Sequence, residues 1–187
     1  NLNGILSNFF FFFKQKLGNM DIVHHILDEN LIRNDNDVLR LALSPITKEK
    51  MVEFSKPYMR ENEKTGANQY YFRVEKVLHE KMITEQIIKN IYEAGRRRTN
   101  ILVFPEMLGT RNMLDMIIDE LSDRDNGDIP QLVVFPSIWE KTENDVNNVN
   151  KSCMILNGEE ILFEQNKYCD FNYEWNDQPV YEDINRT

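Results

Sequence analysis

The chain has 187 residues, 41% hydrophobic and 28% charged, with 22 Lys+Arg against 31 Asp+Glu and a formal net charge of −9. That length and balance suit one globular domain with its own core and exclude a disordered chain. The acidic surplus offers no broad positive field to a phosphate backbone, so nucleic acid is not an expected partner; no apolar run reaches the roughly 20 residues that span a bilayer.

The first residue, Asn1, is not an initiator methionine, so the sequence reads as starting inside a longer product or after processing. Phe9 to Phe13 form a five-Phe block with no basic residue before it and no small-residue cleavage site after it, so it does not read as a signal peptide. A buried helix or strand, or a docking segment for a partner or neighbouring domain, fits it better. Residues 20–33 space Ile22, Val23, Ile26, Leu27 and Leu31 as a helix does. His24 and His25 are neighbours on it, and helical ligand pairs lie one turn apart, so no metal is expected there. Residues 1–37 are therefore expected to be an N-terminal helical or docking segment, the end of an upstream region.

Residues 38–43 read as a short buried strand ended by Ser44 and Pro45. Residues 47–68 are charged and weakly patterned, with Pro57 and Gly66 marking loops. Residues 69–77 alternate as a strand. Residues 84–97 give the clearest helix: Ile87, Ile88, Ile91, Tyr92 and Ala94 make its apolar face, and Thr84 is the expected N-cap. Arg96, Arg97 and Arg98 then meet the negative end of its dipole, a sufficient reason for their presence. Residues 101–104 and 132–135 are solid apolar runs, as expected of strands buried on both faces, and residues 112–121 form a helix between them. Residues 144–150 look turn-like. Asn157-Gly158 separates two runs, 151–156 and 160–165, and is a strong hairpin signal. The alternation of strand and helix predicts a layered α/β domain.

Two features carry chemistry. Phe104-Pro105-Glu106 follows a buried strand directly, and proline there stops the ladder and fixes the turn. Glu106 would then stand at the carboxyl end of that strand, where open α/β sheets place their sites. Partial desolvation at such a rim would raise its pKa towards that of a general base. The second feature is the hairpin from Asn150 to Lys167. A lysine held at the end of its second strand can aim an ammonium at a developing oxyanion. The bland alternative is a surface lysine closing an edge strand.

Taken together these elements resemble the nitrilase or carbon–nitrogen hydrolase superfamily. The resemblance rests on the strand ending in Phe104-Pro105-Glu106, the later apolar strand 132–135, and the Asn-led strand, Gly turn and strand running into Lys167. It covers roughly residues 38–171 and implies an α-β-β-α sandwich, incomplete at the C-terminus, over residues 38–187. It implies hydrolysis of amide or nitrile carbon–nitrogen bonds by a Cys-Glu-Lys mechanism. Glu106 matches the general base and Lys167 the group that stabilises the tetrahedral intermediate. Glu174 is the best-placed candidate for the second glutamate that members use after the lysine, and a solvated loop carboxylate is the alternative.

The chain departs from the pattern at the nucleophile, which should follow the lysine by a few tens of residues. Cys153 precedes Lys167 and reads as a small buried strand residue; Cys169 lacks the strand-then-elbow context. The expectation is that the cysteine lies outside these residues and that they are inactive alone. The other reading is a non-catalytic scaffold or sensor module of a larger multidomain protein, for which family fusions with defence reverse transcriptases give a precedent. No metal or other cofactor is expected: the sequence has no Gly-rich phosphate loop, no Gly-x-Ser-x-Gly elbow and no ligand cluster. Two cysteines allow one bridge at most, and a reducing, cytoplasmic setting is expected. The resemblance further implies a small amide or nitrile substrate and a homo-oligomer or a fused upstream domain.

Overall fold

A computed structural model describes residues 16–17, 20–21, 38–46, 50–62, 65–122, 128–141, 148–167 and 169–184. The chain divides into two compact units, Asn1–Ile32 and Arg33–Thr187. In the first, β1 (Lys16–Leu17) and β2 (Met20–Asp21) pair antiparallel. Met20 and Asp21, which the apolar spacing puts at the start of a helix, are thus strand residues; the rest of that helix and the Phe block lie outside the described residues.

The second unit is mixed α/β, with several sheets and, among the described residues, two helices. Its main sheet is built from β3 (Leu41–Leu43), β8 (Ile101–Val103), β9 (Leu132–Val134), β10 (Ile138–Lys141), β11 (Asn148–Leu156) and β12 (Glu160–Asn166). Here β3, β8 and β9 run parallel, and β11 returns antiparallel beside β9. The first half of β11 pairs with β10 and its second half with β9, while β12 occupies its other edge. A second sheet holds β5 (Tyr58–Glu61), β6 (Asn68–Phe72), β13 (Asn172–Trp175) and β14 (Gln178–Glu182), in the order β13-β14-β6-β5. Two further strands, β4 (Val52–Phe54) and β7 (Val74–Val77), pair by themselves.

The helices α1 (Glu80–Arg96) and α2 (Arg111–Ser122) share one core with the main sheet. Ile83, Ile87 and Ile91 recur every four residues along α1, which stacks them on one side, and Met113, Leu114, Ile117 and Leu121 do the same on α2. All seven are fully buried against Leu102, Val133 and Ile155 of the sheet. Burying a side chain of that size contributes roughly 2 kcal/mol. Thr84 is not the cap of α1: the helix begins at Glu80 after a left-handed His79 (φ 59°), and the Thr84 hydroxyl donates to the Glu80 carbonyl at 2.9 Å.

Only one face of the main sheet is packed this way. Leu43, Val103, Val134 and Met154 are in register across four strands on the other face. The inner three are half-buried, whereas Leu43 is 73% exposed and its strand neighbour Leu41 is 61% exposed. The expectation of a buried strand at 38–43 therefore fails, because β3 is the edge strand and its outward residues meet little protein. The predicted strand at 69–77 is two strands, since Arg73 leaves the ladder with β5 and bonds Ser55 instead (Ser55 N–H to the Arg73 carbonyl, 2.9 Å). Within the weakly patterned stretch 47–68, residues 52–54 and 58–61 are strands β4 and β5, and residues 148–150 open β11 rather than a turn. The hairpin at Asn157-Gly158 has both residues at positive φ (50° and 76°), the conformation that pair favours.

Candidate functional site

After β8 the Phe104 N–H donates to the Val134 carbonyl at 3.1 Å, and Pro105 then ends the pairing. Glu106 follows, beyond the carboxyl end of the strand. Met107 takes the left-handed conformation (φ 66°), which costs a residue with a side chain about 1 kcal/mol or more. It is held there because its N–H donates to the Ser137 hydroxyl at 2.8 Å, while the Gly109 N–H donates to the Ser137 carbonyl at 3.1 Å. Gly109 has no room for a side chain: a Cβ would lie 2.2 Å from the Pro136 carbonyl oxygen. The turn carrying Glu106 is thereby seated on the segment that follows β9.

Lys167 arrives from β12. Its N–H donates to the Asn150 carbonyl at 2.7 Å, one residue past the last strand position. Its Nζ lies 2.9 Å from Glu106 Oε2 and 2.9 Å from Glu182 Oε2. Glu182 closes β14, its side chain is 0% exposed, and it also accepts from Asn150 Nδ2 (2.9 Å) and from the Phe171 N–H (3.0 Å). Asn150 is 1% exposed, and its Nδ2 stands 3.5 Å from Glu106 Oε2 as well. Burial disfavours the Lys167 ammonium, but the hydrogen bonds to Glu106 and Glu182 outweigh it and hold the pKa above the usual lysine value. The group is a cation fixed between two carboxylates.

Asp183, the next residue, anchors this arrangement. It accepts from the Tyr58 hydroxyl, pairs with Arg60 at 2.7 Å and accepts from Asn148 Nδ2 at 3.2 Å. The end of β14 is therefore tied to β5 and β11. Burial, reinforced by the Asp183 carboxylate, pushes the Tyr58 phenol well above its ordinary range.

The polar groups surround a cavity of about 260 Å³. Phe104, Val134 and Phe135 give its apolar wall; Glu106, Ser137, Asn150, Ser152, Gln165 and Lys167 give its polar one. The structure thus brings Glu106 and Lys167 together. It places Glu174 on β13 opposite Pro179, exposed, and the second carboxylate on Lys167 is that of Glu182. The desolvation expected of Glu106 is found at Glu182 instead: the Glu106 side chain is 58% exposed and that of Glu182 0%. A signal for Glu182 was in the sequence. Asn176-Asp177, both at positive φ (50° and 57°), make the tight turn of a hairpin, and alternation after it puts Val180 and Glu182 on the same, buried face.

Neither cysteine lines the cavity. Along β11, Asn150 and Ser152 face the cavity, so Cys153 points the other way, into the core shared with the helices. Burial, with the Glu164 carboxylate adding, pushes its thiol up to about 11, and its Sγ lies 3.6 Å from Glu164 Oε1. Glu164 itself pairs with Arg111 (2.7 Å) and Lys151 (3.0 Å). Cys169 is exposed. Among the described residues no group of three or more His, Cys, Asp or Glu side chains converges to hold a metal ion, and no helix is long and apolar enough to cross a membrane.

No protein-family model matches the chain, and no curated protein matches it. Among solved structures, the glutamine-dependent NAD+ synthetase from Acinetobacter baumannii, in complex with adenosine diphosphate, is similar with 16% identity and a TM-score of 0.36. The likeness covers 55% of this chain and 24% of that one, so it spans about a quarter of the synthetase. At that TM-score it bears on neither activity nor partners.

Proposed function

We propose that residues 38–187 are part of a nitrilase-like domain whose site acts on amide or nitrile carbon–nitrogen bonds through a Cys-Glu-Lys mechanism. The observation that carries this is the Lys167 ammonium, fixed 2.9 Å from Glu106 in a small cavity with one apolar wall. The helix-covered sheet is then one half of an α-β-β-α sandwich, and its open face, with Leu41 and Leu43, is where a second sheet would pack.

In this reading a cysteine from outside these residues gives its proton to Glu106, which is exposed enough to receive it, and the thiolate adds to the substrate carbon. Lys167 stabilises the oxygen or nitrogen that becomes anionic. For an amide, the leaving nitrogen departs as ammonia with that proton, leaving a thioester. Water then gives a proton to Glu106 as it attacks, and the acid and the thiol are released. Glu182, rather than Glu174, holds the lysine in place.

A second reading, a non-catalytic scaffold or sensor module of a larger protein, is favoured by one observation: Cys153 faces away from the cavity with a thiol that stays protonated near neutral pH. The two readings separate on the natural gene product, sequenced past Thr187 and assayed for ammonia release from a panel of amides and nitriles. A hydrolase gives turnover that falls at least about a thousandfold in Lys167→Ala, a loss of roughly 4 kcal/mol at the barrier. No turnover from a product lacking a cysteine a few tens of residues beyond Lys167 leaves the module reading standing. Turnover by residues 1–187 alone overturns the placement of the nucleophile.

A further inference from the structure

We propose that β13 is a docking edge that takes up an extended peptide segment of a partner protein, one whose residues alternate between apolar and basic. In the hairpin of β13 and β14 the two-residue turn Asn176-Asp177 makes Trp175 and Gln178 a closely bonded pair. Alternation along β13 then turns the N–H and C=O of Tyr173 and Trp175 inward to β14, and the Phe171 carbonyl likewise accepts from the Glu182 N–H at 2.8 Å. The backbone groups of Asn172 and Glu174 point the other way, on the side where β13 is the outermost strand of its sheet. All four residues of the strand are exposed. Natural edges are blunted by lysine, proline or a bulge, whereas Asn172 to Trp175 carries neither residue and pairs in unbroken register.

Pairing across the strands puts Tyr173 on the same face as Val180 and Tyr70, and Phe171 and Trp175 share that face. Their rings lie against β6: Trp175 on Tyr70 at 5.8 Å between centroids, Tyr173 and Phe171 on Phe72 at 5.4 and 6.4 Å. The three rings are held in place yet exposed, so apolar side chains of an added strand would cover them at little cost in ordering. Charge decides the rest of the partner. Residues 168–185 hold five acidic residues and no lysine or arginine. Glu182 and Asp183 are paired inside the protein, but Glu174 and Asp177 are exposed and make no ion pair with any described residue. A basic residue beside Glu174 meets an opposite charge across the strands, whereas a second copy of this edge brings no lysine or arginine to it. The edge therefore selects a basic strand over self-pairing, with main-chain bonds at Asn172 and Glu174 and apolar contacts on the aromatic face.

The test titrates the 187-residue chain with a synthetic peptide of alternating lysine and valine, followed by NMR. Two controls run beside it: the same peptide with glutamate in place of lysine, and the lysine peptide N-methylated along its whole backbone. The lysine peptide is expected to shift the amide signals of Asn172 to Trp175 and to bind at least about tenfold more tightly than either control. Its affinity should fall as salt is raised, and Glu174→Lys should weaken it by about threefold. The control peptides need no mutation, so the comparison stands even where that variant does not fold. Equal binding of the lysine and glutamate peptides overturns the basic partner. Equal binding of the N-methylated peptide, shifts confined to other strands, or no shift at millimolar peptide overturns strand addition at β13. A dimer of the chain alone that protects the Asn172 and Glu174 amides from exchange makes the occupant a second copy and overturns the proposal.

Discussion

Glu106 and Glu182 both reach the Lys167 ammonium at the same distance, yet they differ in what surrounds them. Glu182 has lost its water entirely and has exchanged it for three donors, from Lys167, Asn150 and the Phe171 backbone. Glu106 keeps much of its hydration. Removing a buried partner leaves other groups desolvated and unpaired, whereas removing an exposed one does not. Glu182→Ala is therefore expected to lower stability by about 2–4 kcal/mol, and Glu106→Ala by less than about 1 kcal/mol. Urea unfolding of the two variants checks this, and equal losses would mean that Glu182 is not the buried anchor. At this scale the sequence pointed to Glu106 and Lys167 because each sits at the end of a strand that its own neighbours specify. Glu182 belongs to a strand of five residues whose burial depends on β6 beside it and on Asn150 beyond, and a single segment does not display its partners.

At the scale of elements, the helices and the apolar strands were legible and the short antiparallel strands were not. Ile83, Ile87 and Ile91 repeat over several turns, so the pattern announces itself. Strands β4, β5 and β10 have three or four residues each, too few for alternation to stand out from chance. The limits of α1 also moved, because the helix starts without a side-chain cap and Thr84 turned out to lie a turn inside. The turn after β8 gives a direct test. Gly109→Ala would put a methyl group against the Pro136 carbonyl, and the expected cost is about 2 kcal/mol or more, within the range for overpacking. Thermal unfolding measures it, and a loss under about 0.5 kcal/mol would show that the two segments are not in close contact.

For the whole molecule, the ion pairs set a stability plateau with an edge on either side. Burial alone would raise the Glu164 pKa, but the hydrogen bonds from Arg111 and Lys151 prevail and lower it. Its contribution is full above the ordinary glutamate pKa of about 4.3 and is lost as pH falls through the depressed folded value. Lys167 has the opposite sign. With its folded pKa raised, its contribution is full below the ordinary lysine value of about 10.4 and is lost as pH rises through the raised one. Melting temperatures across this range should be flat near neutrality and fall at both ends, and Glu164→Gln should flatten the acid limb only. An unchanged acid limb in that variant would assign the loss to other carboxylates. The net charge of −9 was readable at once; which carboxylates are paired was not, because pairing depends on strands that meet only in the folded chain.

The wiring of Lys167 has a kinetic consequence. Its backbone bond to Asn150 comes with the local hairpin, which can close early, since only a three-residue loop joins β11 to β12. Its carboxylates depend on non-local pairing: Glu106 is 61 positions distant along the chain, and Glu182, though near in sequence, sits on β14, whose partner β6 is distant. Both require β8 and β14 to have docked, so the ammonium is uncompensated until the non-local pairings are made. The charge on this one side chain is thus among the last to be neutralised as the chain folds, and its environment marks the completion of the native state.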